Sequence, residues 1–400
     1  MDAIDFLTNL SELNVQFQPI FSADEHIVVA YEARGEILID GELHTIQPFI
    51  EDEDIPIEYR LDMELQFMKK ALFAFQNFDE EVSLFLACHS TLLMEAYGEK
   101  HLAVLRTYLI DEELGRIVIE TTERLEGQQV EQLQHVLKYF KTYGIKIAIA
   151  EVGSESHIEH VTQLEPNVLK ISIAQLPYES WASQMDMIAA IGMIAHKIGA
   201  SLFFTGIDTI YQLQFAWRNG GRYYQGSYLA DYHYAPIVKD VHKARFKEDC
   251  QSFISSEKKL IERKLDALQA VEEQLTNVIK QTRLGDDKVS YLEALGKPLI
   301  DCAFRMYICN EDGFQTTPNV ILQEGIWHVN YEAEQKNWSW RPYFLETLVK
   351  MRKENECVIS APYSDIETGE LTRTFSTRMN DSEFLFIDLR HNYIFKHDLI

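Results

Sequence analysis

The 400-residue chain reads as an α/β protein followed by a smaller α+β region. Three observations carry that reading. From residue 14 to 229, short β-branched or aromatic runs alternate with longer helical patterns, the rhythm of a (β/α)8 TIM-like barrel. The first two runs are separated only by Ser-Ala-Asp-Glu-His, too short for a parallel crossover, so one barrel strand should be antiparallel. Beyond Pro236, a stretch without Pro or Gly runs from Ile237 to Leu284, which predicts one long helix between the two regions.

In order, the expected barrel strands are Val15–Phe21, Ile27–Arg34, Val82–Ala87, Arg116–Thr121, Ile145–Ala150, Asn167–Ile171, Ser201–Thr205 and Arg222–Tyr228. Helical patterns at Glu58–Asn77, Gln129–Tyr143, Ser183–Ile198 and Thr209–Arg218 separate most of them, each closed by a Gly, Asn or polar break. The predicted division is a barrel over 1–240, a helical linker over 241–284 and a second domain over 285–400. In the linker, Ile254, Ile261, Leu268 and Leu275 recur every seven residues, with Leu265, Val271, Val278 and Ile279 between them. That spacing suits a helix that pairs with a second copy in a homodimer, or one packed along its own domain.

The second domain should hold strands near Phe304–Cys309, Val320–Gln323, Trp327–Asn330, Cys357–Ser360, Leu371–Thr377 and Phe384–Leu389. A helix over Pro342–Lys353 and a turn at Glu367-Thr368-Gly369-Glu370 complete it. A small antiparallel sheet with a helix suits a sensor module and equally a dimerising domain.

Charge narrows the function classes. Lys plus Arg number 37 against 63 Asp plus Glu, a net −26, so phosphate backbones and anionic membrane surfaces are repelled and neither nucleic acid nor membrane is an expected partner. With 46 % apolar residues the chain is too hydrophobic to be disordered. Its start lacks a secretory pattern, and the most apolar run, Met187 to Ala195, stops at His196 and Lys197, so a cytoplasmic location is expected. Cys88, Cys250, Cys302, Cys309 and Cys357 are scattered and read as reduced core thiols.

Active groups of such barrels project from the carboxyl ends of strands. Those ends carry Glu32, Ala87, Glu120, Ala150 with Glu151, Lys170, Thr205 and Gln225. Carboxylates, a lysine and a glutamine thus share one rim, although polar strand ends are also commonly just solvated.

Gln18-Pro19-Ile20, Tyr31-Glu32-Ala33, Ile119-Glu120-Thr121-Thr122-Glu123, Leu169-Lys170-Ile171 and Tyr224-Gln225-Gly226 resemble, in order, the motifs of EAL domains, the cyclic-di-GMP phosphodiesterases. The rest is similar to the YkuI type of EAL protein, through the stretch from Asn337 to Phe344 and Tyr363 to Gly369, in a PAS-like carboxyl-terminal domain. The resemblance implies a barrel with a reversed first strand and two divalent cations that clamp a phosphodiester for hydroxide attack. Carried over by position, Glu32 and Glu120 would be metal ligands, with Lys170 and Gln225 assisting.

Several positions depart from that pattern. Ala87 stands where the family has an asparagine ligand, Ala150-Glu151 where it has an aspartate pair, Ser172 where it usually has aspartate, and Thr205 where it has a late glutamate. Glu151 could help hold one partly hydrated ion, so no cofactor is expected beyond weakly held Mg or Mn. The family's E-A-L-x-R arginine, a phosphate contact, falls on Glu36; at about 4 Å and a dielectric near 20, that charge change is worth about 4 kcal/mol in each direction. The resemblance therefore implies a catalytically inactive EAL-type signalling or scaffold protein acting through an unknown protein partner. The alternatives are a cyclic-di-GMP receptor without hydrolysis and a weak metal-dependent phosphodiesterase. In the second domain, Trp340, Arg341, Tyr343, Tyr363 and Asp365 resemble residues by which Cache-like PAS folds hold small ligands; they could equally be core aromatics with an Arg341–Asp365 ion pair.

Overall fold

The computed structural model describes residues 6, 8–39, 41–153, 156–174, 181–283, 287–341, 344–354 and 357–399, with the backbone alone for 181–184. It divides into two units, Met1–Phe253 and Ile254–Ile400.

In the first unit the strands are β1 (Leu13–Ser22), β2 (Val28–Ile39), β3 (Glu42–Thr45), β4 (Ser83–Ala87), β5 (Ile117–Thr121), β6 (Lys146–Ile149), β7 (Val168–Ser172), β8 (Ser201–Thr205) and β9 (Gly221–Tyr224). Their order is β1-β9-β8-β7-β6-β5-β4-β2-β3, and β1 pairs again with β2, so the sheet closes with β3 left outside the ring. β1 is antiparallel to both neighbours, whereas β2 and β4 to β9 run parallel around the ring. The short link after β1 forces that reversal, as the sequence requires.

Strand alternation sorts the side chains into two sets. One face of each strand packs outward against helices such as Ile57–Phe75, Gln128–Lys141 and Ile210–Arg218, where Phe67, Leu72, Leu133, Leu137 and Leu213 are buried. Thr209 caps the last of these, its hydroxyl accepting from Gln212 N–H at 3.3 Å. The other face fills the barrel with Ile20, Ala30, Phe85, Val118, Ala148, Val168 and Phe203, and Tyr223 packs partly against them. That plug closes the interior, so chemistry is confined to the layer above it.

The strand ends are also held rigidly. A Cβ on Gly226 would lie 2.1 Å from the Ile207 carbonyl oxygen and 2.3 Å from its nitrogen, so only glycine fits beside that backbone. β2 runs five residues past Arg34, the sequence estimate of its end, and forms a hairpin with β3. Asp40-Gly41, with Gly41 at φ +87°, is the two-residue turn signal for that hairpin.

The described cysteines are all free, and Cys357 alone of them is not fully buried. Cys88 lies beside His101 and Glu64, whose carboxylate is 2.7 Å from His101 Nε2 and accepts from His89 N–H at 2.7 Å. Burial, then the Glu64 and Glu120 charges, push the Cys88 thiol well up. It remains a neutral core group.

In the second unit, β10 (Ala303–Asn310), β11 (Asn319–Gln323), β12 (Ile326–Asn330), β13 (Val358–Ile359), β14 (Tyr363–Ser364), β15 (Leu371–Thr372), β16 (Thr374–Arg378) and β17 (Glu383–Leu389) are all paired antiparallel. The main sheet runs β12-β11-β10-β17-β16-β13, and the helix Phe344–Glu354 covers Phe384, Phe386 and Tyr307 with Phe344, Leu348 and Met351.

The long helix is Lys243–Gln281. Phe246, Cys250 and Phe253 belong to the core of the first unit, and Val271 and Leu275 to that of the second. Part of the seven-residue repeat is thus consumed by intradomain packing, while Ile254, Ile261 and Leu265 stay 41 %, 54 % and 60 % exposed. No helix among the described residues is long and apolar enough to cross a membrane.

Candidate ligand cleft at the strand ends

The candidate site follows from the plug by counting. Two residues beyond each plug residue, toward the strand carboxyl end, stand Glu32, Ala87, Glu120, Ala150, Lys170, Thr205 and Gln225. Because β1 is reversed, its member of this layer is Gln18, opposite Glu32 and bonded through Nε2 to Ala230 O at 3.2 Å. Above this layer opens a cleft of about 770 Å³, lined by Glu32, Ala87, Glu120, Ala150, Glu151, Lys170 and Thr205 among others.

Lys170 organises the centre. Its Nζ donates to Glu32 Oε2 at 2.8 Å and to Glu120 at 2.8 and 2.9 Å. Burial alone would lower the Lys170 pKa, but Glu120 and Glu32 hold it above its ordinary value. Burial pushes the Glu120 carboxyl up, Lys170 opposes that rise and Glu32 adds to it. The two carboxylates expected to ligate metal are therefore bridged by an ammonium.

The remaining positions bear on a metal pair directly. Ala87, Ala150 and Thr205 sit in the layer where the other ligands would have to be, and none offers a carboxylate. Glu151 is exposed, at φ +57°, and pairs with Arg124 at 3.2 Å. Two adjacent cations need bridging oxygens, and Ala87, Ala150 and Thr205 contribute no carboxylate toward them. A single hard cation can still be met by Glu32 and Glu120 once Lys170 yields. Gln225 is 3 % exposed, is absent from the cleft lining, and its side-chain nitrogen makes no hydrogen bond among the described residues. Neither carboxylate oxygen of the buried Glu123 has such a partner either.

Arg34 was missed by motif reasoning. It shares the Glu32 and Glu36 face of β2 by simple alternation, stands 3.5 Å from Glu36, and lies 5.0 Å over the Tyr232 ring. Arg34 and Tyr232 line the cleft, whereas Glu36 does not. The charge reversal read at Glu36 is thus neutralised two residues away. Burial raises the Tyr232 pKa, aided by Glu32 and opposed by Arg34.

In the second unit, the expected Arg341–Asp365 pair is replaced. Asp365 is buried and bonds Arg305 at 2.5 Å; Arg305 also holds Asp388 at 2.6 Å and Glu367 at 2.9 Å. Arg341 lies 4.3 Å over Trp338, Trp340 is 66 % exposed, and Tyr363 OH is 2.8 Å from Thr374 Oγ1. Trp340 is therefore not a core aromatic. Tyr343 lies outside the described residues.

Comparison with known proteins places this geometry. Residues 3–232 match the EAL domain, and residues 237–400 match the EAL-domain associated signalling protein domain. A Bacillus subtilis (strain 168) protein described as the uncharacterised EAL-domain containing protein YkuI is 40 % identical over 405 residues, covering 100 % of this chain and 99 % of its own. The crystal structure of B. subtilis YkuI in complex with substrate c-di-GMP and calcium matches with a TM-score of 0.92, 39 % identity and full coverage of both chains. An EAL domain protein of Listeria monocytogenes EGD-e matches at 15 % identity and a TM-score of 0.49, over 58 % of this chain and 94 % of its own. The reversed strand, the ordered strand-end motifs and a family match over most of the barrel agree: the chain belongs to the EAL-domain family, the family of cyclic-di-GMP phosphodiesterases, and carries the EAL-associated signalling domain after the barrel in sequence.

Proposed function

We propose that the barrel is a cyclic-di-GMP receptor that holds the dinucleotide together with one divalent cation and does not cleave it efficiently. Arg34 carries this reading. Sequence alone favours a scaffold without nucleotide because Glu36 replaces a phosphate-binding cation, but the side chain lining the cleft is the arginine. The B. subtilis relative, crystallised with c-di-GMP and calcium, supports the same ligand here.

The cleft lining holds three cations, Arg34, Arg124 and Lys170, against five carboxylates, Glu32, Glu51, Glu53, Glu120 and Glu151. A ligand with two phosphates would be repelled by that excess, and one divalent cation cancels it. Calcium suits the incomplete set because it tolerates irregular shells of carboxylate, phosphate and water oxygens. Slow or absent cleavage follows from Ala87, Ala150 and Thr205, which leave no second ion to activate water. Such a receptor acts through a protein partner.

Calorimetric titration of the full chain with cyclic-di-GMP, in calcium and in chelator, tests the reading alongside chromatography for the linear dinucleotide. The expected result is calcium-dependent binding with no linear product in Mg²⁺ or Mn²⁺. Absence of binding at millimolar ligand would return the scaffold reading, and accumulation of linear product would make the protein an enzyme.

A further inference from the structure

The second domain contains a cavity of about 180 Å³, below the usual span of drug-sized pockets and so suited to a compact molecule. Its polar wall is oriented by a group that can only donate. Trp338 Nε1 donates to Gln315 Oε1 at 2.9 Å, which turns the Gln315 amide nitrogen the other way, onto Thr317 O at 2.8 Å and Asn319 Oδ1 at 2.9 Å. Gln315 is buried, so this relay is fixed. Asn319 therefore commits its carbonyl to the relay, and its amide N–H groups, which have no partner among the described residues, are left for the cavity that it lines. The register that sets Met306 opposite Val320 puts Tyr307 opposite Asn319 one step on, so both side chains leave the same face of the sheet. Tyr307 is 5 % exposed, its ring is stacked on Phe386 at 5.3 Å, and its hydroxyl has no hydrogen-bond partner among the described residues. Burial, then the Asp388 charge, hold the Tyr307 pKa well above its ordinary value, so the hydroxyl stays protonated and able to donate. A buried hydroxyl left without a partner is costly unless something in the cavity accepts from it.

Charge decides what kind of molecule fits. The lining carries Arg305 and Arg341 against Asp365 and Glu367, a balanced set. Arg305 spends Nε on Asp388, Nη1 on Glu367 and Nη2 on Asp365, and Arg341 is engaged as well. With no charge in surplus, an ionic ligand would give up its hydration and gain no free counter-charge. At the rim, Trp340 and Ile366 are both largely exposed and offer an apolar surface. We infer that this cavity binds an uncharged single-ring carbonyl compound, of the pyrimidine-base or aromatic-carboxamide class, whose carbonyl oxygen accepts from Tyr307 and Asn319 and whose ring lies against Trp340 and Ile366. The arrangement is self-contained in the second domain and does not depend on nucleotide binding by the barrel.

The test is thermal-shift screening of the full chain against uracil, thymine, cytosine and nicotinamide one at a time, followed by calorimetry on any hit, with nicotinate as a charged isostere and glycerol as a ringless control. One or more of the four should raise the melting temperature while both controls leave it unchanged. Tyr307→Phe keeps the stacked ring and removes only the unpartnered hydroxyl, so it should fold and weaken the hit by about three- to tenfold, the scale of one hydrogen bond. Trp340→Ala, at an exposed side chain and thus safe for folding, should weaken it several-fold. No binding by any of the four at millimolar concentration overturns the proposal. So does nicotinate or glycerol binding as tightly as the best of them, or unchanged affinity in either variant.

Discussion

Replacing Lys170 by methionine isolates what the ammonium does at the floor of the cleft. The stem is retained and the charge removed, so Glu32 and Glu120 face each other without the cation that now stands 2.8 Å from both. The three side chains are 11 %, 16 % and 8 % exposed, close to the buried limit in which removal of one partner costs about 3–5 kcal/mol. Residual hydration places the expected loss near 3 kcal/mol, a fall of roughly 6–12 °C in the melting temperature of a domain this size. Glu120, already pushed up by burial, is the group that would take a proton. A carboxyl whose folded pKa is raised favours the folded state below that pKa and loses the contribution as pH rises through it, so the penalty should be smaller at pH 6 than at pH 8. Calcium should replace the ammonium and return about 2.7 kcal/mol at a hundredfold excess over its dissociation constant. Glu32→Gln in the same background should recover stability without calcium and abolish the calcium response. Differential scanning calorimetry across pH and calcium reads all of this. If Lys170→Met melts with the parent, or calcium restores nothing, Lys170 does not stand in for a cation.

Three further outcomes follow from the same geometry. Arg34→Ala should weaken cyclic-di-GMP binding about tenfold by calorimetry while Glu36→Gln leaves it equal or tighter, since the arginine lines the cleft and the glutamate does not. Arg305→Met strands Asp365, Asp388 and Glu367 and should cost about 3–5 kcal/mol in urea unfolding of the second domain. Although burial would raise Asp365, its bonds to Arg305 and Thr368 hold it below its ordinary value; that stabilisation is present above about pH 3.9 and lost as pH falls through the depressed folded value, so the parent but not the variant should show this acid dependence. The exposed stripe Ile254, Ile261 and Leu265 should pair two chains, giving a dimer in sedimentation velocity that Ile261→Lys converts to monomer.

What could be read in advance was whatever a strand or helix period encodes locally. The closed barrel, its reversed strand and the layer of Glu32, Glu120 and Lys170 all follow from alternation and link length, because each side chain's face is set by its own neighbours in sequence. The same parity rule applied to Glu32, Arg34 and Glu36 would have found the cleft arginine; matching the motif position by position hid it. The Asp40-Gly41 signal for the extra hairpin was present too. Arg305 was not legible in this way. Its partners Asp365 and Asp388 lie 60 and 83 residues away in sequence; the antiparallel register of β10 with β17 places Asp388 opposite it, and Asp365 comes from the turn between β14 and β15. Gln225, read as an assisting group from its motif, is buried and does not appear in the cleft lining, a placement that its motif alone does not convey. The seven-residue repeat of the long helix mixed two causes, core packing at Val271 and Leu275 and an exposed stripe before them.

In the proposed receptor, the excess of carboxylates in the cleft would connect the cation to the dinucleotide more closely than proximity alone. While Lys170 is clamped by Glu32 and Glu120 it has little to offer a phosphate; a divalent ion taking those carboxylates would release the ammonium toward the ligand and supply positive charge of its own. Each species then prepares the site for the other, and the coupling must be reciprocal in equilibrium binding. Calcium should lower the dissociation constant of cyclic-di-GMP by a factor equal to that by which cyclic-di-GMP lowers the constant for calcium. An exchange of one monovalent for one divalent cation in a half-buried cleft should give a coupling of about 1–3 kcal/mol, or roughly 5- to 150-fold. In Lys170→Met the ion no longer has an ammonium to displace, so calcium should bind more tightly on its own while its coupling to the dinucleotide shrinks. A parent protein whose two affinities are independent would show that the cation and the nucleotide do not share this cleft.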